Sequence, residues 1–542
     1  MKFKFTLVVI MLVMSHFAFS QITERERPSE WDQLVKGARF MDRFLPMKGN
    51  ILSSDTWGAQ CVLPRFVDNG IEDRIWSYWG GNIKKGNDGL YHLFVCGWLE
   101  GSPKGHMEWP NSYVFNAVSN SLTGPFKIRN IIGKGHNPEV FQLQDGRFVC
   151  YVVDGRYVTN DINDKWEYGK FDFNPRDRRI IEGLSNLSFV QREDGSFVMV
   201  CRGGGIWISK DGLSEYKQIT DKRVYPDVEG YFEDPVIWRD HIQYHLIVND
   251  WLGRIAFYLR SKDGEKWVVD PGEAYMPGIA VHEDGFIEDW FKYERIKIFQ
   301  DGYGRAVQAN FAVIDTLKHE DKSFDRHSSK NISIPLNPGL LLTILDKKPI
   351  TPKTKTISVK IQAEEGINPQ TDIDINSLRF GASEEVNYGR GSKVLETLND
   401  GKDLILTFNG EGNGIVEDEF APKLIGKYKN GKMLYGYARL PYVEYIQPIL
   451  SARVPVFTES TCNIEVENFG QVASENASIK VECIQDGRTI NVASGIVPAL
   501  APYEKTTLQL QCKKPLKDEG NFIVTIYSGK KVLSVFNSFN IK

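Results

Sequence analysis

Short runs of apolar residues, separated by turn signals, recur along most of the chain. Val, Ile, Tyr, Phe and Trp dominate these runs, and Asp-Gly or Asn-Gly pairs bound many of them. Apolar positions with helical spacing are scarce after residue 40. Runs of this kind are typical of strands joined by hairpins, so the sequence predicts an all-β chain of mostly antiparallel sheets.

The turn signals repeat at regular intervals in the first part of the chain. Five aspartates in such turns follow one another at separations of about 46 to 61 residues. They are Asp88, Asp145, Asp194, Asp240 and Asp301. A period of about 50 residues, with a second hairpin in most units, is typical of four-stranded propeller blades. We therefore predict a five-bladed β-propeller over residues 61–345.

Each predicted inner strand opens with polar residues although the rest of the strand is apolar. The opening segments are Gly81–Asn82, His136–Glu139, Ser185–Asn186, Glu233–Pro235 and Tyr293–Arg295. Inner strands line the central channel of a propeller, so these segments should meet at one face. A structural channel lined by satisfied Asn and Ser side chains is the alternative. Carboxylates that share an axis repel one another, and must be paired or used.

Composition excludes several classes of function. The 542 residues include 66 Lys and Arg against 70 Asp and Glu, which gives a net charge of -4. No global basic field is available for nucleic acid or an anionic membrane, so we expect neither partner. Aromatic residues make up 12% of the chain, and exposed aromatic faces are what sugar rings stack on. We expect a carbohydrate partner, and the sequence leaves the oligomeric state open.

The first twenty residues have the pattern of a secretory signal. Two lysines precede an apolar run from Phe5 to Phe19, and Ala18 and Ser20 place small residues before Gln21. The run is shorter than the ~20 residues that span a bilayer, and no later segment is apolar for long enough. We expect residues 1–20 to be cleaved and the mature chain to be secreted or periplasmic.

The opening segments also carry a family resemblance. The strand-turn-strand period, His136-Asn137-Pro138 and the stretch from Tyr231 to Trp238 resemble the five-bladed propeller glycoside hydrolases of families 43 and 117. The resemblance covers roughly residues 60 to 340. It implies three acidic residues on different blades, acting as general base, general acid and a carboxylate that tunes the acid.

The chain departs from that family pattern in its first two predicted blades. Gly81–Asn82 stands where a base Asp-Pro is expected, and the second blade has Asn137–Pro138. Asp234 is the one acidic residue that matches, so it is the first catalytic candidate. Side chains alternate along a strand, which predicts that the neighbouring Glu233 points to the opposite face.

Chemistry supplies further candidates. Inverting hydrolysis needs one protonated and one ionised carboxyl ~6.5 to 9.5 Å apart. Glu182 and Glu139 compete as the acid, and Asp73 is a candidate base or an ordinary turn residue. The remaining candidates are substrate-binding residues, namely His136, Asn137, Asn186, Asn82, Trp79, Glu294 and Arg295.

Neither a cofactor nor a transition metal is expected. A calcium ion fits the resembled fold, but the sequence has no Asp-rich loop with calcium spacing. Seven cysteines in an exported chain leave at least one unpaired. Their spacings match no zinc motif. Cys462, Cys483 and Cys512 lie on separate strand patterns, where one pair is a candidate disulfide.

Other segments flank the predicted propeller. Residues 21–60 are expected to pack on it, and residues 347–355 form a basic linker that contains proline. Residues 356–455 alternate like a β-sandwich accessory domain. Residues 456–542 resemble an immunoglobulin-like adhesion module.

These observations together predict an exported, exo-acting glycoside hydrolase. It would release sugars from a plant or algal polysaccharide or oligosaccharide by acid-base hydrolysis, of the inverting kind. A catalytically inactive carbohydrate-binding propeller is one alternative. An adhesion or scaffold protein is the other, and it predicts an apolar face at the channel mouth.

Export is the first testable prediction. We expect the mature chain to begin at Gln21, because the small residues before it complete the pattern that signal peptidase reads. N-terminal sequencing of the protein from fractionated cells checks this. A folded cytoplasmic protein that retains Met1 would contradict it.

Overall fold

The computed structural model describes residues 25–55, 57–181, 183–458, 460–485, 488–513 and 521–538. The described chain is all-β, as predicted. Five sheets follow one another in chain order between residues 76 and 335, and their main strands pair antiparallel with their sequence neighbours.

The strands of these five sheets have the following bounds. Sheet 1 contains Trp76–Lys85, Tyr91–Leu99, Tyr113–Ser119 and Lys127–Lys134. Sheet 2 contains Glu139–Gln142, Phe148–Val152, Gly155–Thr159 and Glu167–Gly169. Sheet 3 contains Ser188–Gln191, Phe197–Val200, Ile206–Ser209 and Tyr216–Gln218, with Phe173–Asn174 added in parallel at its outer edge. Sheet 4 contains Phe232–Arg239, Tyr244–Asp250, Ile255–Ser261 and Val268–Tyr275. Sheet 5 contains Lys292–Gln300, Ala306–Ile314 and Ser329–Pro335.

The five sheets close into a ring, because each one shares buried apolar residues with the next. The pairs that illustrate this are Phe94 with Val140, Tyr151 with Phe189, Val198 with Leu246, Trp238 with Phe311, and Ile314 with Trp98. The first strand of each sheet lies at the centre of the ring. This arrangement is that of a β-propeller-like fold.

One residue with a left-handed backbone lies within each first strand or two residues before it. The five residues are Gly80, Asn137, Asn186, Asp234 and Arg295, with φ of 51°, 55°, 50°, 52° and 50°. In sheets 1, 4 and 5 the strand register shifts at this residue. Non-glycine residues rarely adopt this conformation, and those that do are often at functional sites.

Two positions beyond this residue, in sheets 1, 2, 3 and 5, polar side chains tie the sheets together across the ring, whereas the corresponding residue of sheet 4 is Val236. Lys297 Nζ lies 2.5 Å from Glu139 Oε2 and 3.3 Å from Ser188 Oγ. Asn82 donates to the Val140 carbonyl at 3.0 Å and accepts from the Val140 amide at 2.9 Å. We call Asn82, Glu139, Ser188 and Lys297 the central belt.

A sixth sheet contains seven strands. They are Leu340–Ile344, Thr356–Ile361, Arg379–Gly381, Val394–Asp400, Asp403–Asn409, Lys423–Lys427 and Met433–Tyr437. Leu340–Ile344, which the sequence assigned to the end of the propeller, pairs here with Thr356–Ile361. Residues 345–355 therefore connect two neighbouring strands of one sheet.

Two four-stranded sheets at the end of the chain enclose one apolar core. Sheet 7 contains Leu450–Ala452, Val456–Phe457, Thr461–Asn468 and Lys505–Gln511. Sheet 8 contains Ala477–Gln485, Arg488–Val497, Asn521–Ser528 and Lys531–Asn537. All seven cysteines of the chain lie in described residues and have free thiols, including the three in this region.

The remaining elements are short. Leu52–Ser53 pairs with Arg65–Phe66. The 3-10 helices are Ser29–Gln33, Phe40–Arg43, Gln60–Val62, Gly105–Asn111 and Ile375–Ser377, and the α-helices are Pro369–Asp372 and Ser383–Val386. Phe40 and Met47 pack into the core between sheets 4 and 5. No helix within the described residues is long and apolar enough to cross a membrane.

The central belt generates a stability prediction. In Lys297→Met the buried Glu139 carboxylate loses its cation, and breaking a buried pair in this way costs about 3–5 kcal/mol. We expect a loss of this size in the free energy of unfolding, measured by denaturation followed by tryptophan fluorescence.

Two controls accompany this measurement. The exposed Lys165→Met should change the free energy of unfolding by less than about 0.5 kcal/mol. The double variant Glu139→Gln with Lys297→Met should recover part of the loss, because no uncompensated charge remains. Equal effects of Lys297→Met and Lys165→Met would refute the role of the pair.

Candidate active site

Three carboxyl groups meet at the centre of the ring. Glu233 and Asp234 come from the first strand of sheet 4, and Glu294 comes from the first strand of sheet 5. One oxygen from each of the three lies within 4.8 Å of the others. The side chains of Asp234 and Glu294 are 3% and 2% exposed, whereas that of Glu233 is 18% exposed. Glu233 is therefore the member of the group that faces solvent.

Strand alternation does not separate Glu233 from Asp234 as the sequence predicted. Asp234 has a φ of 52°, and the pairing of its strand shifts between Glu233 and Val236. A bulge of this kind re-aims side chains. Both carboxyl groups consequently lie in the same cluster.

Arg295 fixes Asp234. Its Nη1 lies 3.0 Å from Asp234 Oδ1, and its backbone amide donates to Asp234 Oδ2 at 3.3 Å. Burial raises the pKa of Asp234, and Arg295 opposes that rise. The two left-handed residues of sheets 4 and 5 are thus joined directly.

Two lysines hold Glu294. Lys318 Nζ donates to Glu294 Oε2, and Lys292 Nζ lies 3.5 Å from Glu294 Oε1. Burial acts to raise the pKa of Glu294, but Lys318 and Lys292 outweigh burial, and the pKa lies below its ordinary value. Three clustered carboxylates are also what a hard cation binds, although these lysines already neutralise Glu294.

Glu233 has the opposite electrostatic environment. Burial raises its pKa to about 7, and the charges of Asp234 and Glu294 add to this rise. Arg202 Nη1 lies 3.1 Å from Glu233 Oε1 and opposes the rise only in part. Near neutral pH, Glu233 therefore exists in both protonated and ionised forms.

Several buried polar atoms around the cluster have no hydrogen-bond partner among the described residues. They include Arg295 Nε and Nη2, Asn137 Oδ1 and Trp251 Nε1. Trp251 lines a small cleft with Lys292 and Glu294, and Lys292 Nζ lies 4.5 Å from the centre of its ring. Leaving such groups unpaired costs ~1–3 kcal/mol each, so a polar ligand at the cluster would gain from satisfying them.

His136 and Asn137 lie beside the cluster, just before the first strand of sheet 2. His136 Nδ1 is 2.9 Å from Ser112 Oγ, and its ring packs 4.9 Å from that of Trp109. Burial, with the charges of Arg295 and Lys318, holds the pKa of His136 well below its ordinary value. His136 is therefore neutral, which favours a structural or hydrogen-bonding role over that of an acid.

Other predicted site residues have different surroundings. Glu139 and Asn82 belong to the central belt, where their side chains bind Lys297 and the backbone of Val140. Trp79 is buried edge-on against His106, with its face under Lys318, so it offers no exposed face to a sugar.

Asp73 forms local hydrogen bonds just before the first strand of sheet 1. It accepts from the amides of Ile75 and Trp76 at 2.7 and 2.8 Å, and also from the Tyr78 hydroxyl. Asn186 occupies the left-handed position of sheet 3 and is half-buried. Glu182 lies outside the described residues.

Sequence reasoning missed the cations that set the charges of the site. Lys318 lies in the loop after the second strand of sheet 5, and Lys292 is the first residue of that sheet. No motif links either lysine to Glu294. The third cation is Arg202, which follows the second strand of sheet 3 and pairs with Glu233.

Comparisons with known proteins add little to this picture. No protein-family model matches the chain, and no curated protein matches it. Among solved structures, an alpha-L-arabinofuranosidase from Lactobacillus brevis matches with a TM-score of 0.35 and 11% identity, over 49% of this chain and 92% of that one. The GH43 BlXynB protein from Bacillus licheniformis matches with a TM-score of 0.25 and 12% identity, over 91% and 80% of the two chains. At these scores the likenesses say nothing about function, which has to be argued from the site.

The environment of Glu233 generates a titration prediction. In Asp234→Asn the neighbouring negative charge is removed, so the pKa of Glu233 should fall from about 7 toward its ordinary value. Burial, the larger cause, remains and should keep the pKa above that value. Infrared difference titration of the carboxyl bands, with Glu233→Gln to assign the band, measures the change.

The exposed Asp55→Asn is the matched control, because it removes the same charge far from the cluster. It should leave the Glu233 band unchanged. A Glu233 pKa that is the same in Asp234→Asn and in the unmodified protein would show that the two carboxyls do not interact.

Proposed function

We propose that the protein is an exported glycoside hydrolase whose chemistry resides on sheets 4 and 5. In this proposal the five sheets are the blades of a propeller, and sheets 6 to 8 form accessory β-sandwich modules that help to hold a polymeric substrate. The substrate is a plant or algal polysaccharide or oligosaccharide. Cleavage of residues 1–20 places the enzyme in the periplasm or outside the cell.

The observation that carries the proposal is a pair of carboxyls with opposite pKa displacements. Glu233 has a pKa of about 7, whereas two lysines keep Glu294 ionised. Their oxygens lie within 4.8 Å of each other. Hydrolysis of a glycosidic bond needs one protonated and one ionised carboxyl side by side, and environments that separate two pKa values supply such a pair.

We assign the acid role to Glu233, because it is the exposed member of the cluster. Its proton passes to the glycosidic oxygen as the bond from that oxygen to the anomeric carbon breaks. Asp234 raises the pKa of this acid, and Arg295 holds Asp234 in place. The unpaired N–H groups of Arg295 are available to the hydroxyls of the sugar.

Glu294 is the second carboxyl. Retaining enzymes place the two groups only ~5–5.5 Å apart, and inverting enzymes place them ~6.5–9.5 Å apart. The spacing here favours the retaining course over the inverting one that the sequence suggested. Glu294 would bond to the anomeric carbon, and water, deprotonated by Glu233, would then release the sugar and restore both carboxyls.

A carbohydrate-binding protein without turnover is the second candidate, and one observation favours it. The left-handed positions of sheets 1, 2 and 3 are Gly80, Asn137 and Asn186, none of which has a carboxyl group. The cluster would then hold a sugar through Arg295 and Asn137 without cleaving it. The charged side chains at this face argue against the apolar surface that an adhesion protein requires.

Replacing the proposed acid distinguishes these candidates. Glu233→Gln keeps the shape of the side chain but has no proton to give, so turnover should fall by about 10² to 10⁴-fold. Aryl glycosides and plant and algal oligosaccharides are the substrates to screen. The loss should shrink as the leaving group becomes more acidic, because a good leaving group needs no acid, and azide should restore turnover by replacing water.

Glu215→Gln, an exposed glutamate outside the cluster, should retain full activity. Binding of oligosaccharides without any release of sugar by the unmodified protein would favour the second candidate. Equal losses for all leaving groups would remove Glu233 from the acid role.

A further inference from the structure

We propose that Cys61, Asp315 and His327 form a binding site for a zinc ion, which fastens the N-terminal segment to the loop that carries Lys318. This site is separate from the carboxyl cluster of sheets 4 and 5. Its existence does not depend on the proposed hydrolase activity.

The three side chains converge although they are far apart in the sequence. One ligand atom from each lies within 4.8 Å of the other two. His327 Nδ1 is 3.0 Å from Asp315 Oδ2, and the Cys61 amide donates to the same oxygen at 3.2 Å. The backbones are also joined, because Ala59 bridges His327 and the Gln60 amide donates to the Arg326 carbonyl at 3.1 Å.

A second observation points to a cation. The side chain of Asp315 is 0% exposed. Its Oδ2 atom has the partners just described, but its Oδ1 atom has no hydrogen-bond partner among the described residues. A buried carboxylate oxygen without a partner is costly, and a metal ion in the cluster would satisfy it.

The donor set selects the metal. Thiolate sulfur, imidazole nitrogen and carboxylate oxygen are the ligands of Zn²⁺, at ~2.3, ~2.0–2.1 and ~2.0–2.2 Å. These lengths place the ligand atoms of a tetrahedral site roughly 3.5 Å apart. The thiol loses its proton on binding. Exposed Glu320, whose charge acts on both Cys61 and His327, or a water molecule completes the tetrahedron.

The same residues do not suit a cysteine nucleophile. In such a triad the imidazole stands between the thiol and the carboxylate, which orients it. Here the Cys61 thiol and His327 both hydrogen-bond to Asp315, so the carboxylate stands at the centre. In that arrangement the three side chains converge on one point, as the ligands of a metal ion do.

The position of the site gives the zinc a structural task. Asp315 and His327 lie near the two ends of the loop between Ile314 and Ser329, and Cys61 lies on the segment beside it. Lys318 belongs to this loop and binds Glu294. Bound zinc therefore links the two ends of this loop to each other and restricts the position of Lys318.

Zinc titration of the tag-free full-length protein, after removal of metal with a chelator, tests the proposal. Calorimetry should show one Zn²⁺ per chain, with a rise in melting temperature on binding. Cobalt in place of zinc should give a thiolate-to-metal absorption band. Cys61→Ser and His327→Gln should each weaken zinc binding by at least about 100-fold, since even outer partners of a metal contribute ~10–100-fold.

Cys61 is the best residue to replace, because it is exposed and its loss leaves the Asp315 to His327 bond intact. Cys512→Ser, which alters a half-exposed cysteine just after the last strand of sheet 7, is the matched control and should bind zinc normally. The cobalt band should vanish in Cys61→Ser alone of the two. Absence of stoichiometric zinc in the unmodified protein, or equal affinity in Cys61→Ser and Cys512→Ser, would overturn the proposal.

Discussion

A left-handed residue within or just before each first strand constrains where polar side chains lie at the centre of this molecule. In five successive sheets one residue takes a left-handed conformation at the same place. The residues before and at this point, such as Glu233 and Asp234, then lie together at the mouth of the ring. The residues two positions later, such as Glu139 and Lys297, lie in the central belt, one layer further along their strands. A single backbone feature thus divides the centre into two polar layers.

Buried charges are neutralised in different ways in these two layers. In the central belt Glu139 and Lys297 have each other, and Ser188 binds both, so the charges are matched and closed off from solvent. At the mouth, three carboxyls meet four cations, and several donors and acceptors remain unpaired. A fully satisfied network stabilises, whereas a partly satisfied one is where a ligand has most to offer.

The sequence predicted the all-β class because that class depends on local signals, namely apolar runs and Asp-Gly turns. It also placed Asp234, Glu294 and Arg295 at the start of inner strands, because polar residues there interrupt an apolar pattern. It failed where the outcome depends on tertiary contacts. The rule that side chains alternate along a strand predicted the wrong face for Glu233, because the strand has a bulge between Glu233 and Val236. Glu139, a predicted acid, forms an ion pair with Lys297 on another sheet.

Distance along the chain explains the other omissions. Lys318 follows the hairpin formed by the first two strands of sheet 5, and it binds Glu294 in the first of those strands. Cys61 precedes sheet 1 in the chain, whereas Asp315 and His327 lie in the loop of sheet 5, so these residues meet only where the ring closes. A spacing rule for metal ligands or for ion pairs works only when the partners share an element or a short loop. These contacts form when the ring closes, and no pattern of neighbouring residues in the sequence predicts them.

The five left-handed positions also bear on where chemistry can reside in such a ring. Gly80, Asn137, Asn186, Asp234 and Arg295 have almost the same φ, and four of the five are Gly, Asn or Asp, the types that adopt this backbone most readily. The backbone therefore favours a small set of residue types at this place, but that set includes both the amide of Asn137 and the carboxyl of Asp234. A carboxyl missing from sheets 1 to 3 leaves the backbone at those positions unchanged. Among the five positions, only those of sheets 4 and 5 carry a charged side chain, Asp234 and Arg295.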